Sequence, residues 1–356
     1  MSGVPATLMR GGTSKGLFLL ASDLPADAGD RDDLLLRLMG SPDPAQIDGL
    51  GGAAPVTSKV AVIAPSQTPG HDVDYLFLQV GVETATVSDR QNCGNLLAAV
   101  GQFAVGRGLV TAGPERTEVR IRMVNSGSTA VSRFATPGGQ VDYAGDTAIA
   151  GVPGTAAPVL LDFLDTEGST TGALLPTGRT VDRIDGVEVT CVDNGMPVVV
   201  VRAADLGLSG YETPGELGAD PGLASRVDAL RVRAGELMGL GDVRSAPVPK
   251  TTVVAPAAHG GAISTRTFIP VRPHPAIGVL GAVSVVTSAL LEGTVGHDLL
   301  AGRAGGRAGG PLAVEHPTGS LDVDVDLDAG DPPRVVRSTV VRTARALFDG
   351  VALPRA

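Results

Sequence analysis

The feature that most constrains this chain is an approximate internal repeat. Ser58-Lys-Val-Ala-Val-Ile-Ala-Pro65 returns as Pro249-Lys-Thr-Thr-Val-Val-Ala-Pro256. Each copy is followed, further along, by an apolar stretch of helical character, Cys93-Gly-Asn-Leu-Leu-Ala-Ala-Val100 and Ala276-Ile-Gly-Val-Leu-Gly-Ala-Val283. A chain whose second half restates its first folds as two similar domains. Short β-branched runs at 60–64, 75–82, 119–124, 187–192, 198–202, 251–255 and 321–327, bounded by Gly, Pro, Asn and Asp, read as strands. Helices are predicted over 31–39, 95–107, 226–238 and 275–291. The last is apolar on nearly every face, so it belongs inside the protein. The arginines of 226–238 predict a surface position for that helix. The expected fold class is therefore α+β: two similar domains, each a β-sheet wrapped round one central apolar helix. The turn-rich Leu175-Pro-Thr-Gly-Arg179 divides them into 1–178 and 179–356.

Composition narrows the function. The net charge is -10, aromatics make up 3% and no basic run occurs, so neither the charge nor the stacking surface of a nucleic-acid binder is present. No stretch approaches the roughly 20 apolar residues that span a bilayer, and the N-terminus lacks the pattern of an export signal. Two cysteines cannot build a disulfide scaffold. A cytoplasmic protein is expected, with no membrane or nucleic-acid partner. A homodimer is compatible with the chain and not required by it.

Of 28 basic residues only Lys15, Lys59 and Lys250 are lysines. Arginine stays charged, whereas a desolvated lysine can lose its proton, so the surviving lysines are candidates for chemistry. Lys59 follows the small-residue run 48–58 and opens an apolar strand, where it is either a base or a charged anchor for a substrate carboxylate. Cys93, in Asn92-Cys93-Gly94-Asn95, precedes an apolar helix. Unsatisfied N–H groups there favour a thiolate, so Cys93 is either a proton carrier or a small buried hydrophobe. Cys191 lies within a strand pattern and reads as structural. Arg10-Gly-Gly-Thr-Ser-Lys-Gly16 lacks the residue order of a phosphate loop, leaving Arg10, Thr13, Ser14 and Lys15 as either a carboxylate cradle or a surface hairpin. Five histidines are scattered without ligand spacing, so no metal is expected. His274 stands out, preceding Pro275 at the second apolar helix with Arg266 and Arg272 nearby. Neither a nucleophile elbow nor a dinucleotide fingerprint is present.

Met9-Arg-Gly-Gly-Thr-Ser-Lys-Gly16, Ile47-Asp-Gly-Leu-Gly-Gly52 leading to Thr57-Ser-Lys-Val60, Asn92-Cys-Gly-Asn95, Gly151-Val-Pro-Gly-Thr155 and Asp193-Asn-Gly-Met-Pro-Val198 together resemble the PrpF family, in order over nearly the whole chain. The resemblance implies a diaminopimelate epimerase-like fold with the active site in the interdomain cleft. It also implies cofactor-independent isomerisation of an unsaturated tricarboxylic acid. The segments 263–270 and 277–285 resemble the 4-oxalomesaconate tautomerase branch; an aconitate-type isomerase and a non-catalytic carboxylate-binding protein are the alternatives. The family's catalytic lysine and cysteine fall on Lys59 and Cys93. The paired cysteines of the epimerase are absent, because the second helix begins at Pro275-Ala276. On this reading neutral Lys59 abstracts a proton and Cys93 assists. Arg10, Ser14, Lys15, Ser58, Asn92, Gly94, Asn95, Arg266 and His274 hold a small di- or tricarboxylate, and no cofactor or metal takes part. Because the substrate and the protein are both anionic, the basic motif residues are expected to converge in space.

Overall fold

The computed structural model describes residues 3–90, 93–300, 310–330 and 333–356. The chain forms two compact units, residues 1–164 with 341–356, and residues 165–340. Unit 1 contains β1 (Val4–Gly11), β2 (Ser14–Leu20), α1 (Ala28–Met39), β3 (Lys59–Pro65), β4 (Val73–Val80), β5 (Val87–Ser88), α2 (Gly94–Leu97), α3 (Val100–Gly106), β6 (Arg116–Met123), β7 (Thr129–Ala135) and β8 (Pro158–Leu164). Unit 2 contains β9 (Asp182–Ile184), β10 (Val187–Asp193), β11 (Pro197–Arg202), α4 (Pro214–Gly218), α5 (Pro221–Leu237), β12 (Lys250–Pro256), β13 (Ile263–Ile269), β14 (Arg272–Pro273), α6 (Val279–Leu290), α7 (His297–Leu300), β15 (Leu312–His316) and β16 (Gly319–Leu327). The last strand, β17 (Val335–Ala352), starts in unit 2 and ends in unit 1.

The repeat extends to strand topology. In unit 1, β1 and β2 are antiparallel, β2 and β3 parallel, β3 and β4 antiparallel, β4 and β6 parallel, and β6, β7 and β8 antiparallel. Unit 2 gives the same sequence of directions through β10, β11, β12, β13, β15, β16 and β17. Each sheet packs a helix on both faces, because its strands alternate two apolar sets. In unit 1, Leu17, Leu19, Val60, Val62, Leu78 and Val80 face α1 through Leu35, Leu38 and Met39. The opposite face packs on α2 and α3, which touch β1, β2, β3, β6 and β7; Phe18 meets Phe103 there at 5.6 Å between ring centres. In unit 2 the outer helix is α5, and the inner one is α6, packed against β10, β11, β15 and β16.

Four expectations need correction. The division falls after Leu164 rather than near 178, and residues 341–356 rejoin unit 1, because β17 pairs antiparallel with β1 from Ala344 to Ala352. The helix predicted over 95–107 is two pieces: at Ala98 and Ala99 the N–H groups bond Asn95 and Leu96, three residues back, tightening the turn. The second central helix starts at Val279, since Pro273 and Pro275 hold the preceding chain extended. Finally, α5 does not turn all its arginines outward. Arg231 is 1% exposed, its guanidinium donating to the Val243 carbonyl and to Asp228. Among the described residues no helix is long and apolar enough to cross a membrane.

Candidate active site

The inner face of β4 organises the two catalytic candidates. Tyr75, Phe77 and Gln79 alternate along this strand and so point the same way. In the β3–β4 register Lys59 lies opposite Gln79, and Ala61 opposite Phe77. The Lys59 amine donates to Gln79 Oε1 at 2.8 Å and lies 4.8 Å from the centre of the Phe77 ring. The Gln79 amide is oriented in turn by donating Nε2 to the carbonyls of Ser58 and Pro55. Tyr75 donates its hydroxyl to the Cys93 carbonyl at 3.3 Å. One strand face thus fixes both Lys59 and Cys93, each 9% exposed. Burial pushes the Tyr75 phenol far up, with the nearby Cys93 adding to it, so Tyr75 stays a protonated donor. No acidic side chain among the described residues pairs with Lys59, so its amine is held without being neutralised.

Cys93 is the N-cap of α2, its sulfur accepting weakly from Leu96 N at 3.5 Å. Because α2 is a single turn, it supplies little of the macrodipole expected of a long helix. Burial pushes the Cys191 thiol up to about 12, as befits an inert core residue.

The loop after β1 is a tight hairpin, with Gly11 paired to Ser14. Its tip docks on the central helix rather than standing at the surface. Asn95 Nδ2 donates to Thr13 Oγ1 at 3.1 Å, and a Cβ on Gly12, whose φ is +50°, would lie 2.3 Å from Asn95 Oδ1. Asn95 and Gly94 therefore stand where the hairpin meets α2, with Ser14 buried beside them.

Other expected ligands of a substrate are engaged within the protein. Arg10 Nη1 donates to the Gly12 and Thr343 carbonyls and to the Thr343 hydroxyl; burial, then the charge of Arg345, lowers its pKa. Ser58 is fully buried, donating to the Val80 carbonyl and accepting from Gln46. Its hydroxyl thereby ties the start of β3 to the end of β4. Lys15 and Lys59 leave adjacent strands on opposite faces, since it is Gly16 that pairs with Lys59. Lys15 Nζ lies beside Gly52. Asn92 lies outside the described residues. In unit 2, Arg266 donates to the carbonyls of Glu212 and Thr265, and His274 Nδ1 accepts from Ala276 N at 3.0 Å. Both hold local backbone. Sequence reasoning missed Tyr75, Phe77 and Gln79, whose only signal is their alternation along a strand.

Comparison with known proteins identifies the family. The family model described as PrpF protein matches residues 1–354. A (4E)-oxalomesaconate Delta-isomerase of Novosphingobium sp. (strain KA1) is 54% identical, covering 99% of this chain and 97% of the relative. A 4-oxalomesaconate tautomerase of Pseudomonas putida is 53% identical, covering 98% and 95%. The crystal structure of a methylitaconate-delta-isomerase superposes with TM-score 0.89 at 33% identity, covering 98% of this chain and 94% of that one. A hydroxyproline epimerase from Agrobacterium vitis, 15% identical with TM-score 0.52 over 99% and 93%, shares the fold. The chain belongs to the PrpF family and is an isomerase.

Proposed function

We propose that this isomerase moves a proton on 4-oxalomesaconate, with Lys59 as the base. The observation that carries the reading is the amine of Lys59, buried, without an acidic partner among the described residues, and steered by Gln79 and Phe77 on the strand face that also holds Cys93. An unsaturated oxo-acid loses a proton from carbon beside its carbonyl or double bond. The C–H electron pair becomes a new C=C bond, and negative charge spreads to the carbonyl or carboxylate oxygen. The Lys59 ammonium then returns the proton at the other end of the conjugated system, to carbon in a double-bond shift or to oxygen in a tautomerisation. The reaction is redox-neutral: one proton leaves carbon for the Lys59 amine and one is delivered from the Lys59 ammonium, whose N–H groups exchange with solvent between the two steps. Cys93, held on the same strand face through Tyr75, assists, and Gly94 and Asn95 beside it at the start of α2 take a substrate carboxylate.

The names of the two relatives above half identity favour 4-oxalomesaconate over an aconitate-type acid. With its thiols reduced, the enzyme works in the cytoplasm. In deuterated water, Lys59→Met is expected to lower deuterium incorporation into 4-oxalomesaconate by about 1,000-fold, within the range of a lost general base, with an unchanged circular-dichroism spectrum. Near-normal exchange by this variant rejects Lys59 as the base.

A further inference from the structure

The segment that leads into Lys59 is held by a residue that the reaction as described does not use. Gln46 is 1% exposed and has φ +45°, in the left-handed region that a glutamine seldom enters. Such a conformation persists where the surroundings fix it, and here they do. Gln46 Oε1 accepts from Ala53 N at 2.9 Å, which settles which end of the amide is oxygen, because a backbone N–H can only donate. Nε2 then donates both of its hydrogens, to Ser41 Oγ at 2.9 Å and to Ser58 Oγ at 2.8 Å. The glycine-rich run 49–52 wraps this amide closely. A Cβ on Gly51 would lie 2.2 Å from Gln46 Oε1, and the N–H groups of Leu50 and Gly51 bond the Leu38 and Met39 carbonyls at the end of α1.

The amide grips Ser58, the residue before Lys59. The Ser58 hydroxyl accepts from Gln46 and donates to the Val80 carbonyl at 3.0 Å, so it is held from both sides. The Ser58 carbonyl accepts from Val80 N and from Gln79 Nε2. Gln79 Oε1 in turn accepts from the Lys59 amine. Gln46, Ser58, Gln79 and Lys59 thus form one series of hydrogen bonds inside unit 1. A shift of Ser58 moves both the Lys59 backbone and the amide that orients its amine. Gln46, Ser41 and Ser58 are all buried, so their polar groups need partners within the protein.

We propose that Gln46 is a positioning residue of the isomerase: acting through Ser58 and Gln79, it sets where the Lys59 amine stands, and the Ile47-Asp-Gly-Leu-Gly-Gly52 motif is the wrapper that seats it. The proposal rests on the reading of Lys59 as the base, and it gives the glycine motif ahead of Lys59 a role other than contact with a ligand.

The test compares two variants with the wild type: Gln46→Met, which keeps the side-chain length and removes the amide, and Ser58→Ala, which breaks the same series one link further on. Lys15, Lys59 and Lys250 are the only lysines, so peptide mapping after brief acetic anhydride treatment reads the Lys59 acetylation rate against Lys250 of unit 2 in the same sample. Gln46→Met should raise that ratio roughly threefold or more, the scale of one lost hydrogen bond. It should lower kcat roughly 10- to 100-fold with KM within about threefold, as for a displaced reacting group. Ser58→Ala should act in the same direction on both. In a Lys59→Met background, Gln46→Met should cost no further activity, since both substitutions act on one amine. All measurements are made at a temperature at which circular dichroism shows the variants folded. A wild-type acetylation ratio in both variants overturns the proposal, whatever happens to the melting temperature. So does an unchanged kcat, and so does a rise in KM at constant kcat, which marks a binding role. If Lys59→Met keeps its activity, the base assignment fails, while the acetylation ratio still decides whether Gln46 holds the amine.

Discussion

Lys59 carries two unlike contacts, an amide oxygen and an aromatic face, and neither removes its capacity to meet a substrate. The amide is the more directional, because Gln79 is anchored by two backbone carbonyls and cannot rotate to follow the amine. Gln79→Leu should therefore release the Lys59 side chain without displacing β3. A hydrogen bond to a charged group contributes about 1.5–3 kcal/mol, so kcat/KM is expected to fall roughly 10- to 100-fold. Steady-state assays alongside thermal melts check this, and a loss confined to melting temperature would show that Gln79 serves only the fold. Lys59 and Cys93 were legible in the sequence because scarcity and motif position marked them. Gln79 was not, because its role arises from cross-strand register, which a linear pattern does not contain. Ser58 shows the converse. It sits in the motif, and the structure uses its hydroxyl to tie the start of β3 to Val80 and Gln46.

At the scale of elements, each central helix is seated by polar contacts that a hydrophobic pattern does not foretell. Asn194, fully buried after β10, donates its backbone N–H to the Ser284 hydroxyl of α6 and its side-chain amide to the hydroxyls of Thr287 of α6 and Ser338 of β17. It also accepts from Thr166. Truncation leaves three buried hydroxyls short of partners, so Asn194→Ala should destabilise the protein by about 2–4 kcal/mol. Denaturant unfolding measures it, and a change below about 0.5 kcal/mol would show that water replaces the amide. In unit 1 the corresponding seat is the glycine hairpin on Asn95, where Gly12 combines a positive φ with contact on its neighbour. Helix existence was readable from apolar content. Helix limits were not, because the break at Ala98 and the late start of α6 depend on local hydrogen bonding and on prolines.

For the molecule as a whole, acidity is the natural probe, given its net charge of -10. The Arg122 hydrogen bond holds Asp74 below its usual value, Arg202 does the same for Asp298, and Arg244 lowers Asp242 to about 2. Burial raises Glu315, but its bonds from the backbone N–H groups of Ala258, Gly261 and His259 outweigh it, and the net direction is down. A carboxylate with a depressed folded-state pKa contributes stability that is present above its unfolded value and lost as pH falls through the folded one. Asp193 runs the other way: burial raises it despite bonds from Thr170 and Thr171, so its contribution is present below the unfolded value and lost as pH rises through the folded one. The depressed groups outnumber it, so the melting temperature should fall steadily between about pH 5 and pH 2. A flat profile down to pH 3 would contradict these networks. The sequence by itself determined that the chain has two like units, each with a buried apolar helix, because repetition and periodicity are properties of order along the chain. It also marked Lys59 and Cys93. Only the tertiary structure decided that residues 341–356 close the first unit, that motif arginines bind backbone, and that Gln79 and Phe77 of β4 hold the Lys59 amine. Those outcomes depend on which strands pair and in which register, and pairing is set by contacts between residues far apart in sequence.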